Sequence, residues 1–118
     1  MDQKFVQRMK EKLLQMKTEI LENLAQESAE FKEIVASGDQ KDIVDIASTD
    51  IDKNVLSTLG NQEMKSLRLI ESALSRIENG VYGTCLKTGK PIPKERLEAI
   101  PYALYTIDYQ NELERRNR

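Results

Sequence analysis

Asp42-Ile43-Val44-Asp45-Ile46-Ala47 reads as a short acidic turn between two long stretches of helical periodicity, and its reading decides the fold. Helices that reverse direction need a short polar break, and Ser37-Gly38-Asp39 supplies one just upstream. Two further aspartates, followed by a small apolar residue, exceed what reversal requires. They put negative charge at the far end of a long, thin hairpin. The plainer role for the same carboxylates is helix capping and turn formation.

Upstream, from Lys4 to about Ala36, apolar residues fall at Val6, Met9, Leu13, Met16, Ile20 and Leu24, then at Phe31 and Ile34. Spacings of mostly three and four mark one helical face. Ser28 interrupts the stripe, but no proline or glycine precedes Gly38. The pattern predicts an uninterrupted helix of about 32 residues, near 48 Å at 1.5 Å per residue. Downstream, Ser48-Thr49-Asp50 offers N-cap residues for a second arm carrying Val55, Leu56, Leu59, Met64, Leu67, Ile70, Leu74 and Ile77. Asn79-Gly80 ends that arm, since both residues tolerate the left-handed conformation. Gly60-Asn61 lies inside the arm, costs about 1 kcal/mol of helix propensity relative to alanine, and marks a bend or joint. Each stripe is too narrow to hold a helix alone, and antiparallel pairing covers both.

A chain of 118 residues with 5% aromatic and 32% charged residues suits long exposed helices better than a large packed core. A formal charge of −2 and the lack of a lysine-rich block exclude nucleic-acid binding as the main source of affinity. Arg115-Arg116-Asn117-Arg118 reads as a solvated helix end. One cysteine forms no intramolecular disulfide and suits a reducing cytosol. No apolar run approaches the roughly 20 residues of a membrane span. Met1-Asp2-Gln3-Lys4 lacks the basic start and apolar run of a signal peptide, so a cytoplasmic protein is expected. The absence of histidine and of a glycine-rich phosphate loop, with a cysteine that lacks a base partner, argues against an enzyme.

After Gly80 the texture changes. Val81-Tyr82-Gly83-Thr84-Cys85 reads as a strand entering a tight turn, and Thr88-Gly89-Lys90 as a second turn. Pro93 opens a short helix through Ala99, Pro101 stops it, and Thr106 caps a last helix running to about Arg116. So small a segment usually needs a metal or disulfide staple. Its spacing is that of a zinc site with the ligands mostly gone: Cys85 and Thr88 form one knuckle, Thr106 and Tyr109 the other. Tetrahedral zinc takes thiolate, imidazole or carboxylate donors, and neutral hydroxyls are poor ones, so no zinc cofactor is expected. Cys85 reads as a small buried apolar residue with nothing to lower its pKa. Thr88 and Thr106 are expected to exchange hydroxyl hydrogen bonds across the vacated site. Tyr105, Ile107 and Tyr109 would pack beside them, with Val81 and Tyr82 docked near Val6, Met9 and Ile77.

The fold class is therefore mainly α: a long antiparallel coiled-coil hairpin over residues 1–79 with its acidic tip at 37–48, then a small degenerate zinc-finger-like module and C-terminal helix over 80–118. The stretch Asn79-Gly80-Val81-Tyr82-Gly83-Thr84-Cys85, with Thr88-Gly89-Lys90-Pro91-Ile92-Pro93 and Arg96-Leu97-Glu98-Ala99-Ile100-Pro101, resembles the DksA/TraR family of bacterial RNA polymerase-binding transcription factors. It follows that family's NGxYGxC…TGxPIPxxRLEAxP pattern over about a third of the chain. Asp42, Asp45 and Ala47 align with its D-x-x-D-x-A tip motif. The resemblance implies a factor whose coiled coil enters the secondary channel of RNA polymerase and brings the acidic tip near the catalytic magnesium, destabilising short-lived promoter complexes. Asp42 and Asp45 would act there on cationic groups or the metal environment, and Ala47 would allow close approach to polymerase backbone.

The departures from the pattern also carry expectations. Of the zinc cysteines only Cys85 survives. Ile100 and Gln110 stand where the family often has basic residues associated with ppGpp binding, so a weak or lost response to that alarmone is expected. Arg96 matches the family as a ppGpp or polymerase contact, though a salt bridge inside the module would explain it equally. The competing readings are a Gre-like transcript-cleavage factor, for which an acidic pair would help hold a second metal, and a stress-related coiled-coil adapter without polymerase activity. The expected partner is RNA polymerase, without sequence-specific DNA binding or membrane attachment. A closed hairpin needs no second copy, so a monomer is expected.

Overall fold

The computed structural model describes residues 1–37, 43–48, 55 and 57–117. They form six helices: α1 (Gln3–Glu27), α2 (Ala29–Ser37), α3 (Ile43–Ser48), α4 (Asn61–Glu78), α5 (Lys94–Ala99) and α6 (Ile107–Arg116). The expected helical fold class holds, and no helix among the described residues is long and apolar enough to cross a membrane. The chain divides into two compact units, Leu14–Ile70 and Met1–Leu13 with Glu71–Arg118. The division runs through α1 and α4, whereas the sequence suggested a boundary at 79/80.

In the unit Leu14–Ile70, one apolar cluster joins Leu21, Leu24, Phe31, Ile46, Ala47 and Val55. The first arm is not one helix. Ser28 ends α1 and caps α2: its N–H still donates to Leu24 O at 2.8 Å, while its hydroxyl accepts from Phe31 N at 3.1 Å. A serine hydroxyl that takes a backbone N–H competes with helix continuation, so propensity alone, without proline or glycine, misjudged this position. Gly60 is likewise a boundary and not a mid-arm bend. A turn in which Thr58 N donates to Val55 O precedes it, and Gly60 O accepts from Met64 N in the first turn of α4. Ser48 closes α3, its hydroxyl donating to Val44 O at 2.9 Å. The expected caps at Thr49 and Asp50 and the turn at Gly38-Asp39 lie outside the described residues.

The buried stripe of α1 also differs from the expected one. Phe5, Met9, Leu13, Lys17, Leu21 and Leu24 are buried, whereas Val6, Met16 and Ile20 are only half-buried. Steps of four from Phe5 to Leu21 run through a lysine, which conceals the row from a search for apolar residues.

In the unit of Met1–Leu13 with Glu71–Arg118, α4 ends as Asn79-Gly80 requires. Gly80 takes φ 73°, its N–H donates to Ile77 O at 3.2 Å, and Val81 N donates to Arg76 O at 3.0 Å. Those paired bonds satisfy carbonyls that every helix C-terminus leaves orphaned. The strand expected at 81–85 is reduced to one antiparallel bridge, Thr84 with Pro91. Gly83 has φ 87° and Pro91 has no N–H to donate, so a ladder has nothing to grow on. Cys85 N to Lys90 O (2.9 Å) and Ile92 N to Gly83 O (2.7 Å) close the loop. The start of α1 rests on α5 through Arg8 to Glu98 at 2.9 Å, Lys12 Nζ to Glu98 O at 2.6 Å, and Lys94 over the Phe5 ring at 5.3 Å.

Leu21→Ala is expected to cost about 2–5 kcal/mol in urea unfolding, by lost transfer energy and a residual cavity. Ile20→Ala should cost clearly less. Equal losses would place the seam of α1 one position earlier.

Candidate functional site

The acidic segment lies in the unit Leu14–Ile70. Asp42 falls outside the described residues. Asp45 stands in the first turn of α3 with its side chain exposed, where a carboxylate also interacts favourably with the helix dipole. The segment is thus helical from Ile43 onward, where the sequence suggested a turn. Helical spacing explains the change: Ile43, Ile46 and Ala47 recur at one, four and five along the helix and share one face, which a turn could not bury together. Ala47 is only 1% exposed and belongs to the apolar cluster. That corrects the expectation that it meets a partner's backbone; its small size serves packing inside this chain. Half of the segment folds inward, and the half bearing Asp45 and Val44 faces out.

The degenerate finger lies in the other unit. Thr106 caps α6 as expected, its hydroxyl accepting from Tyr109 N at 3.4 Å. The Thr88 hydroxyl accepts from Lys90 N at 3.3 Å, across the turn that Gly89 closes. Each hydroxyl thus accepts from a backbone N–H close to it in sequence, and among the described residues the expected bond between the two hydroxyls is not made. A local partner costs less ordering entropy than a distant one. Tyr105 and Tyr109 meet at a 50° tilt with ring centroids 5.1 Å apart, as expected, but Ile107 is 55% exposed. Tyr82 is buried, with its hydroxyl donating to Pro101 O at 2.8 Å, while Val81 is left largely exposed. Burial pushes the Tyr82 phenol up to about 12, against the opposing pull of the Arg76 charge.

Cys85 is buried, as expected, but its surroundings are not inert. Burial pushes its thiol up. The Thr88 hydroxyl and the backbone N–H groups of Thr88, Thr106 and Lys87 outweigh this, bringing it down to about 6 from 9.0. Donors gathered from both halves of the former knuckle pair thus converge on one sulfur. The sequence concealed this, because apart from the Thr88 hydroxyl the donors are backbone groups placed by turns.

These residues do not fit a zinc ion. Cys85 is the one thiol; Thr88, Thr106 and Tyr109 offer neutral hydroxyls, and both threonine oxygens already accept backbone hydrogen bonds. Among the described residues no group of three or more His, Cys, Asp or Glu is placed to hold a metal. A cleft of about 420 Å³ lies beside these positions, between Lys90-Pro91 and Asp108, Tyr109 and Glu112 of α6.

Among the described residues Arg96 makes no salt bridge; its Nε donates to Tyr105 O at 3.0 Å, tying α5 to the segment before α6. The residue that sequence reading missed is Arg76. It is 9% exposed, and its guanidinium donates to Val81 O at 3.3 Å and to Thr84 O. Its signal was legible, since a cation in the last turn of a helix faces free carbonyls there.

Arg76→Met should remove charge-assisted bonds from two loop carbonyls and destabilise the protein by about 2–4 kcal/mol, read as a lowered Tm. For Cys85, a folded pKa below the unfolded one favours the folded state fully above the unfolded value. That contribution fades as pH falls through about 6. Thiolate absorbance should therefore titrate near pH 6 in folded protein, and Cys85→Ala should flatten the rise of stability from pH 6 towards 9.

Residues 80–115 match the prokaryotic dksA/traR C4-type zinc finger family. The chain is 35% identical over 109 residues to the RNA polymerase-binding transcription factor DksA of Caulobacter vibrioides, covering 92% of this chain and 75% of that protein. Among solved structures it is similar to transcription factor DksA2 of Pseudomonas aeruginosa, with a TM-score of 0.67 at 25% identity over 99% of this chain and 88% of that one. It is also similar to an RNA polymerase binding protein and transcriptional regulator of Chlamydia trachomatis, with a TM-score of 0.59 at 28% identity over 98% of this chain and 93% of that one. Identity to a named relative over 92% of the chain, the matched finger region and the shared helical fold agree: the chain belongs to the DksA/TraR family of transcription factors.

Proposed function

We propose that this protein regulates transcription by binding RNA polymerase through its secondary channel, where the acidic segment changes the lifetime of open promoter complexes. The observation that carries the reading is the division of α3. Ile46 and Ala47 lock the helix into the core of its unit, and Asp45 is held outward on that fixed support. A carboxylate on a preorganised helix loses little conformational entropy on meeting a partner. In a confined, partly dehydrated channel its charge counts for more than in water. Asp42, three positions earlier, would add a second charge.

In this reading the protein is no enzyme. It works as a cytoplasmic monomer without zinc; the mainly hydroxyl donor set at Cys85, Thr88, Thr106 and Tyr109, with its local hydrogen bonds, supports that reading. Arg96 supports the module, and with Ile100 and Gln110 in place of basic residues the response to ppGpp is weak. In this reading it does not read DNA sequence directly.

Two measurements test it: competition binding to RNA polymerase, and open-complex lifetime at a short-lived promoter. Asp45→Asn should keep binding and lose the lifetime effect. Loss of neither, in a folded variant, would reduce the aspartate to a helix-terminus charge. Accelerated RNA cleavage in backtracked complexes would replace the proposal with a Gre-like role. Purified protein should carry no stoichiometric zinc by elemental analysis.

A further inference from the structure

The finger exposes aliphatic side chains at matching places. Leu86 and Ile107 are each 55% exposed. Leu86 follows Cys85 and Ile107 follows Thr106, so both stand one position after the first donor position of their knuckle. The two knuckles are bonded to each other: Leu86 N donates to Leu104 O at 2.9 Å, and Thr106 N reaches the Cys85 sulfur. A single exposed apolar residue is ordinary, but two at equivalent positions of paired turns make a patch.

The charges beside them have opposite signs on the two knuckles. Lys87 and Lys90 follow Leu86, whereas Asp108 and Glu112 follow Ile107. Lys90, Ile107, Asp108 and Glu112 line one cleft of about 420 Å³, with Pro91 and Tyr109 in its wall. Glu112 bonds Arg116 at 2.6 Å, while among the described residues Lys87 and Asp108 have no ion-pair partner. Helix α6 supplies a second observation, since none of its ten residues is buried. Ten residues are fewer than the roughly 12–15 that an isolated helix needs in water. Ile107, Asp108 and Asn111 are exposed and recur on one side of α6, a face left without cover.

The balance of charge indicates what covers it. Two lysines against two carboxylates leave the surface without the net charge that attracts a nucleic acid or a uniformly charged partner. An apolar centre with opposite charges on its two sides is complementary to itself after half a turn. That is the requirement of a two-fold contact, in which residue i meets j and j meets i.

We propose that the finger receives a second copy of this chain in an isologous dimer. Leu86 of each copy seats in the other's cleft against Pro91, Ile107 and Tyr109, and Lys87 of each meets Asp108 of the other. A contact confined to the finger is smaller than stable interfaces require, so the dimer is weak and dissolves on dilution, with Kd on the order of 10–500 µM. It is the form taken where the protein accumulates, and the monomer remains the form that acts on polymerase. The contact uses no residue of the acidic segment and stands independently of the polymerase reading.

Sedimentation equilibrium of the full chain, from about 5 µM to about 1 mM, tests it. Wild type should show a monomer–dimer equilibrium. Leu86→Ser should raise Kd at least about tenfold with circular dichroism and Tm unchanged, because the side chain is exposed. Lys87→Glu and Asp108→Lys should each be monomeric, since like charges then face each other across the two-fold axis. Mixed in equal amounts, these two variants should pair with each other about as well as wild type, because each supplies the charge the other needs. The losses in the charge variants should shrink at high salt and the Leu86→Ser loss should not. Lys87→Glu lies in an exposed turn and reads the charge contact even where Asp108→Lys disturbs the start of α6. A monomer throughout the concentration range overturns the proposal. So does a dimer that Leu86→Ser leaves intact, or a folded pair of charge variants that stay monomeric when mixed.

Discussion

A buried guanidinium at the end of α4 holds the loop that follows it. Arg76 reaches forward to the carbonyls of Val81 and Thr84, while its own carbonyl accepts from Val81 N. The helix end and the loop are thus bonded in both directions across Gly80, whose φ of 73° lets the chain turn back tightly enough. The positions of Tyr82, Gly83 and Cys85 follow from that turn. Tyr82 is carried to the Pro101 carbonyl, and Cys85 to the N–H groups of Thr88 and Thr106. A small module without metal ligands needs such internal fastening, because its apolar surface is too limited to order the loop alone.

The same economy applies to α3. Six residues make less than two helical turns, far below the length at which a helix stands alone in water. Ile46 and Ala47 hold it, and what it displays to solvent is fixed by what it buries. Val44 and Asp45 are presented because Ile43, Ile46 and Ala47 are taken. An acidic turn would carry the same charges with no preferred direction; a docked helix gives them one.

Much of this was legible in the chain. Asn79-Gly80 marked the end of α4, Pro93 and Pro101 bracketed α5, and Thr106 announced α6, because each acts through its own backbone geometry. The family pattern between Asn79 and Pro101 identified the module. Less legible were the features that depend on packing or on backbone donors. Lys17 disguised the buried row of α1, Ser28 divided a helix that nothing in its propensity forbade, and Ala47 looked like a surface residue until a core was found behind it. The lowered thiol pKa of Cys85 arises from the Thr88 hydroxyl together with N–H groups brought in by the turns, a convergence that no side-chain motif reported.

The sequence by itself therefore determined the helical class, the punctuation of the C-terminal module and the membership of a family, since these follow from local conformational preference and from motif spacing. The tertiary structure decided which face of each helix is buried, whether the acidic segment is a turn or a docked helix, and what surrounds Cys85. Those outcomes depend on groups far apart in the chain meeting in space. A short segment such as Ile43–Ser48 takes its conformation from the apolar surface it can cover, and that surface is supplied by residues more than one helix away.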